Sequence, residues 1–288
     1  MGDYVVFHDV SWHASYAVYF FIIGIAAALF FFSFLSWHQE ALRPLRERTA
    51  YWSFGFLVVG GLLLINDLSQ PARFLYIMNP VYLNWGSPLT WGGLNLIAFG
   101  AVAAVYLFLL RRGGERWAWE THALAAVGSL LALGLPVYTG FDLSVHQSRP
   151  IWNTPLIAPL FVAMSIASGA ALCSLLVARD EAALRMLRRY MLWSAGAVGV
   201  MLVSLLGTTA YGGVGEELTF QLMLSGGMGL LFIGLGMVLG TALPIVLMLA
   251  PFGRQHTVLA VSALLLLAGG AALRYSLLMG PQIVQTLY

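Results

Sequence analysis

The chain contains no lysine: all fourteen basic residues among its 288 are arginines. A retinal or pyridoxal Schiff base needs a lysine amine, so that chemistry is closed. Cysteine is nearly as scarce, with Cys173 alone inside an apolar run. An intrachain disulfide, an iron–sulfur cluster and a CxxCH haem attachment all need more thiols than that. Charge of either sign is sparse: 9% of residues are charged and 60% are hydrophobic, whereas about a quarter of a soluble domain is charged. The net charge is only +2, and the arginines are sorted by loop rather than pooled, which argues against a nucleic-acid partner. Asp3 and Asp9 precede the first apolar run and no basic residue does. The positive n-region of a signal peptide is therefore missing, and the first helix is expected to stay in the mature protein.

What is abundant is long apolar sequence. A spanning helix needs about 20 predominantly apolar residues. Runs bounded by charge or turn residues predict eight of them, over 12–36, 51–68, 91–110, 119–141, 155–178, 191–210, 220–250 and 257–279. The expectation is an all-α membrane protein, one integral domain over residues 1–288, with membrane lipid as its solvent. Arg43, Arg46, Arg48, Arg111, Arg112, Arg116, Arg179, Arg185, Arg188, Arg189 and Arg254 fall in alternate loops. Arg73, Arg149 and Arg274 fall on the other side. The positive-inside rule puts the larger set in the cytoplasm, and an even number of spans then puts both termini outside.

The outer connections carry the unusual residues. One runs from Asp67 to Pro80 and on through Tyr82, Trp85, Pro88 and Trp91; another runs from Asp142 to Pro155. Both open Asp-Leu-Ser, reach an Arg, then place an Asn shortly before a Pro, a rhyme that fits duplicated helical hairpins or coincidence. The seventh run holds Gly226, Gly227, Gly229, Gly234, Gly236 and Gly240, a spacing that allows close backbone approach, and Pro244 is expected to kink it.

Ionisable groups at a bilayer boundary are costly, and here they gather on the outer side: His13, Asp67, Arg73, Asp142, His146, Arg149, Glu216, Glu217 and Arg274. Glu216 and Glu217, in a glycine-rich turn, read as solvated loop charge. Asp67 follows a long apolar run and precedes Pro71, so its carboxylate is expected to lose water unless Arg73 or a similar cation pairs with it. Such a group can pass protons. The first helix shows Trp12, Tyr16, Tyr19 and Phe20, with His13 close to the Tyr16 face, and Tyr138 sits one turn before Asp142. An aromatic stripe near an interface is commonly a belt or packing surface. A flat two-carbonyl ligand such as a quinone asks for the same surroundings, with His or Tyr donors for its carbonyls. Histidine pairs for a haem can be drawn, but most of these histidines stand at helix ends rather than inside packed helices, so no haem or metal is expected.

At these residues the chain resembles the NrfD/PsrC-like family of quinone-reactive membrane subunits, of the polysulfide reductase type. Asp67-Leu-Ser-Gln-Pro-Ala-Arg-Phe74 looks like its D-L-x-x-P-x-R-F. Ser87-Pro-Leu-Thr-Trp-Gly92 looks like its S-P-x-x-W-G, and Ser148-Arg-Pro-Ile-Trp-Asn153 with Pro155 looks like its R-P-x-W-N. The motifs cover roughly residues 60–165, and their joint order and spacing carry the specificity. The resemblance implies two four-helix bundles and no bound metal. It also implies a pocket for menaquinone or ubiquinone on the periplasmic side, in a bacterial or archaeal cytoplasmic membrane. The partners it implies are a four-cluster iron–sulfur subunit and a molybdopterin-type catalytic subunit.

Quinone contacts carry over by resemblance to Tyr16, Tyr19 and Tyr138. The sequence departs from the polysulfide reductase pattern at the first two, where tyrosines align with an Asn and a His, and His13 is the candidate for the imidazole role. Trp91 and Trp152 are expected to wall the pocket, and Asn153 is expected to bind the quinone. Asp67 is expected to relay protons, while Arg73 and Arg149 hold Asp67 and Asp142 ionised or orient the loops. Two other classes compete. A secondary transporter or ion-translocating subunit would use the rhyming segments as an ion path, and a plain anchor would hold a redox partner without touching quinone.

Overall fold

The computed structural model describes residues 12–67, 71–146, 149, 151–177 and 180–282, without the side chains of Arg73, Ile77, Met78, Pro80 and Glu115. The expected pairing role of Arg73 thus lies outside the described residues, as do Ser148 and Pro150 of the third motif. Helix α1 spans Ala14–Leu35 and α2 spans Arg46–Asn66, entered through a 3-10 turn at Glu40–Leu45. Helices α3 (Pro88–Arg112), α4 (Ala118–Ser144), α5 (Ile157–Leu176) and α6 (Glu181–Ala210) follow. A short α7 (Val214–Leu224) precedes α8, the span Gly226–Leu249, and α9 is His256–Met279. Eight of these helices, all but α7, are long and apolar enough to cross a membrane.

Helices pack both within each half of the sequence and across a broad seam between the halves. Within α1–α4, α1 lies on α2 and α4, and α3 lies on α4; within the second unit, α5 lies on α6 and α9, and α8 on α9. The units meet where α1 and α4 pack on α5 and α1 on α9. Apolar side chains also point outward, among them Leu62, Val200 and Leu264, each more than half exposed. That pattern is costly in water and favourable in lipid. Close contacts depend on missing side chains. A Cβ on Gly240 would run into the Gly269 Cα, so α8 and α9 touch backbone to backbone.

Two elements differ most from the hydropathy reading. Helix α6 begins ten residues before the expected 191, because the Asp180 carboxylate accepts from Ala182 N and Ala183 N and caps it. The seventh apolar run is broken: Ser225 is extended, Gly226 has φ +57, and a π-helical stretch occupies Leu230–Ala242. Pro244 lies inside this span, where the π-helical stretch gives way to the α-helical turns Leu243–Leu249. Arg274, expected at the outer boundary, is instead fully buried in α9. Its Nη2 donates to Ser165 Oγ at 2.9 Å, and its guanidinium lies near the Phe21 and Phe161 rings.

Candidate functional site

The start of α1 and the ends of α2, α4 and α9 converge at one end of the molecule. Trp12 is held there by the end of α9, since its backbone N–H donates to Gln282 Oε1 at 2.7 Å and Gln282 Nε2 donates to its carbonyl at 3.2 Å. The Trp12 ring packs edge-on against Tyr16, with centroids 4.6 Å apart, and against His146 at 5.9 Å. His146 in turn meets Trp152 at 5.6 Å, and the Trp152 Nε1–H donates to the Leu277 carbonyl at 2.6 Å. Trp12, Tyr16, His146 and Trp152 therefore form a continuous aromatic wall drawn from α1 and the segment after α4, braced by α9.

Polar groups sit inside that wall. Ser15 donates to Asp67 Oδ1 at 2.7 Å, while Asp67 Oδ2 and Trp12 Nε1 are buried without a geometric hydrogen-bond partner among the described residues. The Tyr16 phenol lies near the Asp67 carboxylate. One turn deeper, the Tyr19 and Tyr138 hydroxyls bond to each other at 2.7 Å. Tyr138 is fixed by α3, whose Gly92 leaves room for its ring; a Cβ there would overlap the ring carbons. His146 Nδ1 lies 2.9 Å from the Asp142 carbonyl. A carbonyl only accepts, so the proton is on Nδ1, and Nε2 is an acceptor while the ring is neutral.

The structure brings Tyr16, Tyr19, Tyr138, Asp67, Asp142 and Trp152 to one region and separates other candidates from it. His13 stands at the N-cap of α1 and is exposed. Trp91 is 56% exposed and donates to the Trp85 carbonyl at 2.9 Å. Asn153 is exposed beside the buried Trp152. Arg149 is buried, and its Nη1 donates to the Pro281 carbonyl at 3.1 Å, tying the segment after α4 to the end of α9. Asp67 meets a serine hydroxyl, not a cation, among the described residues. Ser15, Gln282 and the wall role of His146 escape the sequence reading. His146 stands out there only as an ionisable group, and nothing in the local sequence of Ser15 or Gln282 signals a tie across 52 or 270 residues. No group of three or more His, Cys, Asp or Glu side chains suited to a metal ion occurs among the described residues.

Fold and site together define a multi-pass membrane protein with an aromatic-walled, partly unsatisfied polar cluster at one end of its helices. The protein belongs to the NrfD family: the model for polysulphide reductase, NrfD, matches residues 5–285. A component of the polysulfide reductase of Wolinella succinogenes is 29% identical over 98% of this sequence and 97% of its own length. A component of the tetrathionate reductase of Salmonella typhimurium is 28% identical over 67% of this sequence and 57% of its own. Protein NrfD of Escherichia coli is 26% identical over 60% and 61%.

Proposed function

We propose that this protein is the quinone-binding membrane subunit of a respiratory oxidoreductase complex, in a bacterial or archaeal cytoplasmic membrane with the aromatic end toward the periplasm. The observation that carries the reading is the cluster of Asp67, Tyr16 and the Tyr19–Tyr138 pair behind the wall of Trp12, His146 and Trp152. Its residues fit a flat ligand with two carbonyls. Among the described residues Asp67 Oδ2 and Trp12 Nε1 are buried polar atoms in want of a partner, and leaving such atoms unpaired costs about 1–3 kcal/mol each. A bound quinone supplies two-electron, two-proton redox chemistry.

The protein's own part is to bind, orient and move protons. The phenols and the Trp12 indole N–H are donors suited to carbonyl oxygens, and the ring edges exclude water from the cluster. Asp67 takes and releases protons with Ser15 Oγ holding one oxygen, and the Tyr16 phenol lies beside it. Electrons come from outside this protein, because its one cysteine is buried and cannot assemble a cluster. The similarity to components of polysulfide and tetrathionate reductases supports a complex with iron–sulfur and catalytic partners. Titrating the assembled complex with a quinone-site inhibitor tests the reading. Saturable binding with loss of quinone turnover is expected, and turnover of quinone with no inhibitor or quinone binding to this subunit overturns it.

A further inference from the structure

Arginines at the other end of the molecule are gathered rather than spread. Arg185, Arg188 and Arg189 recur on α6 at a spacing that puts them on one face of its first turns. The connection from α8 to α9 brings Arg254 and His256 to the same place. Together with Glu181, Leu184 and Leu259 these side chains line a cleft of about 340 Å³.

Two features make this more than a solvated basic surface. Arg188 is anchored, its Nε donating to the Met248 carbonyl at 3.0 Å and its Nη2 to the same oxygen, so one guanidinium is fixed at the cleft. Among the described residues the cleft also holds four arginines against one carboxylate. That carboxylate, Glu181, is 3.3 Å from Arg185, with both side chains more than half exposed and the pair therefore screened. Like charges crowded from two separate elements raise a strong positive potential. Keeping arginine on one side of a membrane requires no such convergence.

The surroundings say which anion fits. Helices α6 and α9 both begin at the cleft, so it lies where spans leave the hydrocarbon. Beside the Met248 carbonyl that holds Arg188, Val246 and Leu249 of α8 are 63% and 65% exposed. A soluble anion needs only the charges; a lipid uses the charges and the apolar side chains together. We propose that this cleft is a binding site for the phosphodiester headgroup of an anionic phospholipid. The planar guanidiniums of Arg185, Arg189 and Arg254 donate to phosphate oxygens in paired bonds. Arg188 supplies fixed charge, and the acyl chains lie along the exposed side chains of α8. Basic pockets between spans are suited to such headgroups.

The test takes the purified complex, stripped of lipid in detergent, and adds phosphatidylglycerol, phosphatidylcholine or inorganic phosphate, reading retention by native mass spectrometry and unfolding by heat. Phosphatidylglycerol is expected to stay bound and raise the unfolding temperature, while the other two do neither. Arg185→Gln, Arg189→Gln and Arg254→Gln alter exposed side chains, and each is expected to weaken retention about fivefold. Should a variant unfold, retention by the unaltered complex in rising salt is the second measurement, with a steep fall expected. Equal retention of the two lipids, or full retention in the triple variant, overturns the proposal. So does equal stabilisation by inorganic phosphate, which would make this a site for a soluble anion, or loss of a partner subunit with lipid retention unchanged, which would make it a protein-docking face.

Discussion

The hydroxyl oxygens of Tyr19 and Tyr138 lie 2.7 Å apart between α1 and α4, joining buried phenols 119 residues apart in sequence. Two O–H groups share one mutual bond, so one proton of the pair remains to be donated into the cluster. Removing either hydroxyl strands the other in a dry interior. Tyr19→Phe and Tyr138→Phe are each expected to cost about 1–3 kcal/mol of stability, with the double variant costing less than the sum. Unfolding of the three variants in detergent measures the coupling; simple additivity would deny that the bond matters.

Asp67→Asn keeps the shape and the Ser15 contact but removes an exchangeable proton site. Turnover with quinone is expected to fall about a hundredfold, with the complex still assembled. Steady-state rates on purified complex check this, and an unchanged rate removes Asp67 from the proton path. Ser15→Ala is expected to have a smaller effect in the same direction.

Gly92→Ala would drive a methyl group into the Tyr138 ring and displace it from Tyr19. Lower thermal stability and weaker inhibitor binding are expected together. Gly196→Ala is the control, since nothing lies within 4 Å of its added Cβ. There the helix should gain about 0.5–1 kcal/mol from reduced backbone freedom.

Gln282→Ala cuts the two-bond tie that holds Trp12 against the end of α9. The start of α1 is then expected to exchange its amide hydrogens faster, with α5 and α6 unaffected. Mass-spectrometric hydrogen exchange reads both regions in one experiment, and unchanged exchange at Trp12 would mean that the wall stands without this tie.

The spans are legible because an uninterrupted apolar run in lipid has little choice but to be helical, and α1, α4 and α9 fall within a few residues of their expected limits. Helix α6 reads short in hydropathy because its first turns carry charge and leave the hydrocarbon; the Asp180 cap is the signal that hydropathy ignores. The break at Ser225 and Gly226 and the π-helical turns after it leave mean hydropathy unchanged, so composition does not reveal them. At the site, Tyr16, Tyr19, Tyr138 and Asp67 are readable from residue type and depth. His13 and His146 are both imidazoles near the same boundary, and only tertiary packing decides that His146 meets Trp12 and Trp152 while His13 faces outward. Trp152 and Asn153 are neighbours in one motif, yet a turn sends one inward and one out.

The most direct test is to locate the bound ring. A photoreactive quinone analogue, activated on the assembled complex and traced by peptide mapping, is predicted to label residues 12–19 of α1 and 138–152 at and beyond the end of α4. That labelling should be lost in excess unlabelled quinone. Displaceable labelling confined to other helices, or to a partner subunit, would contradict the account.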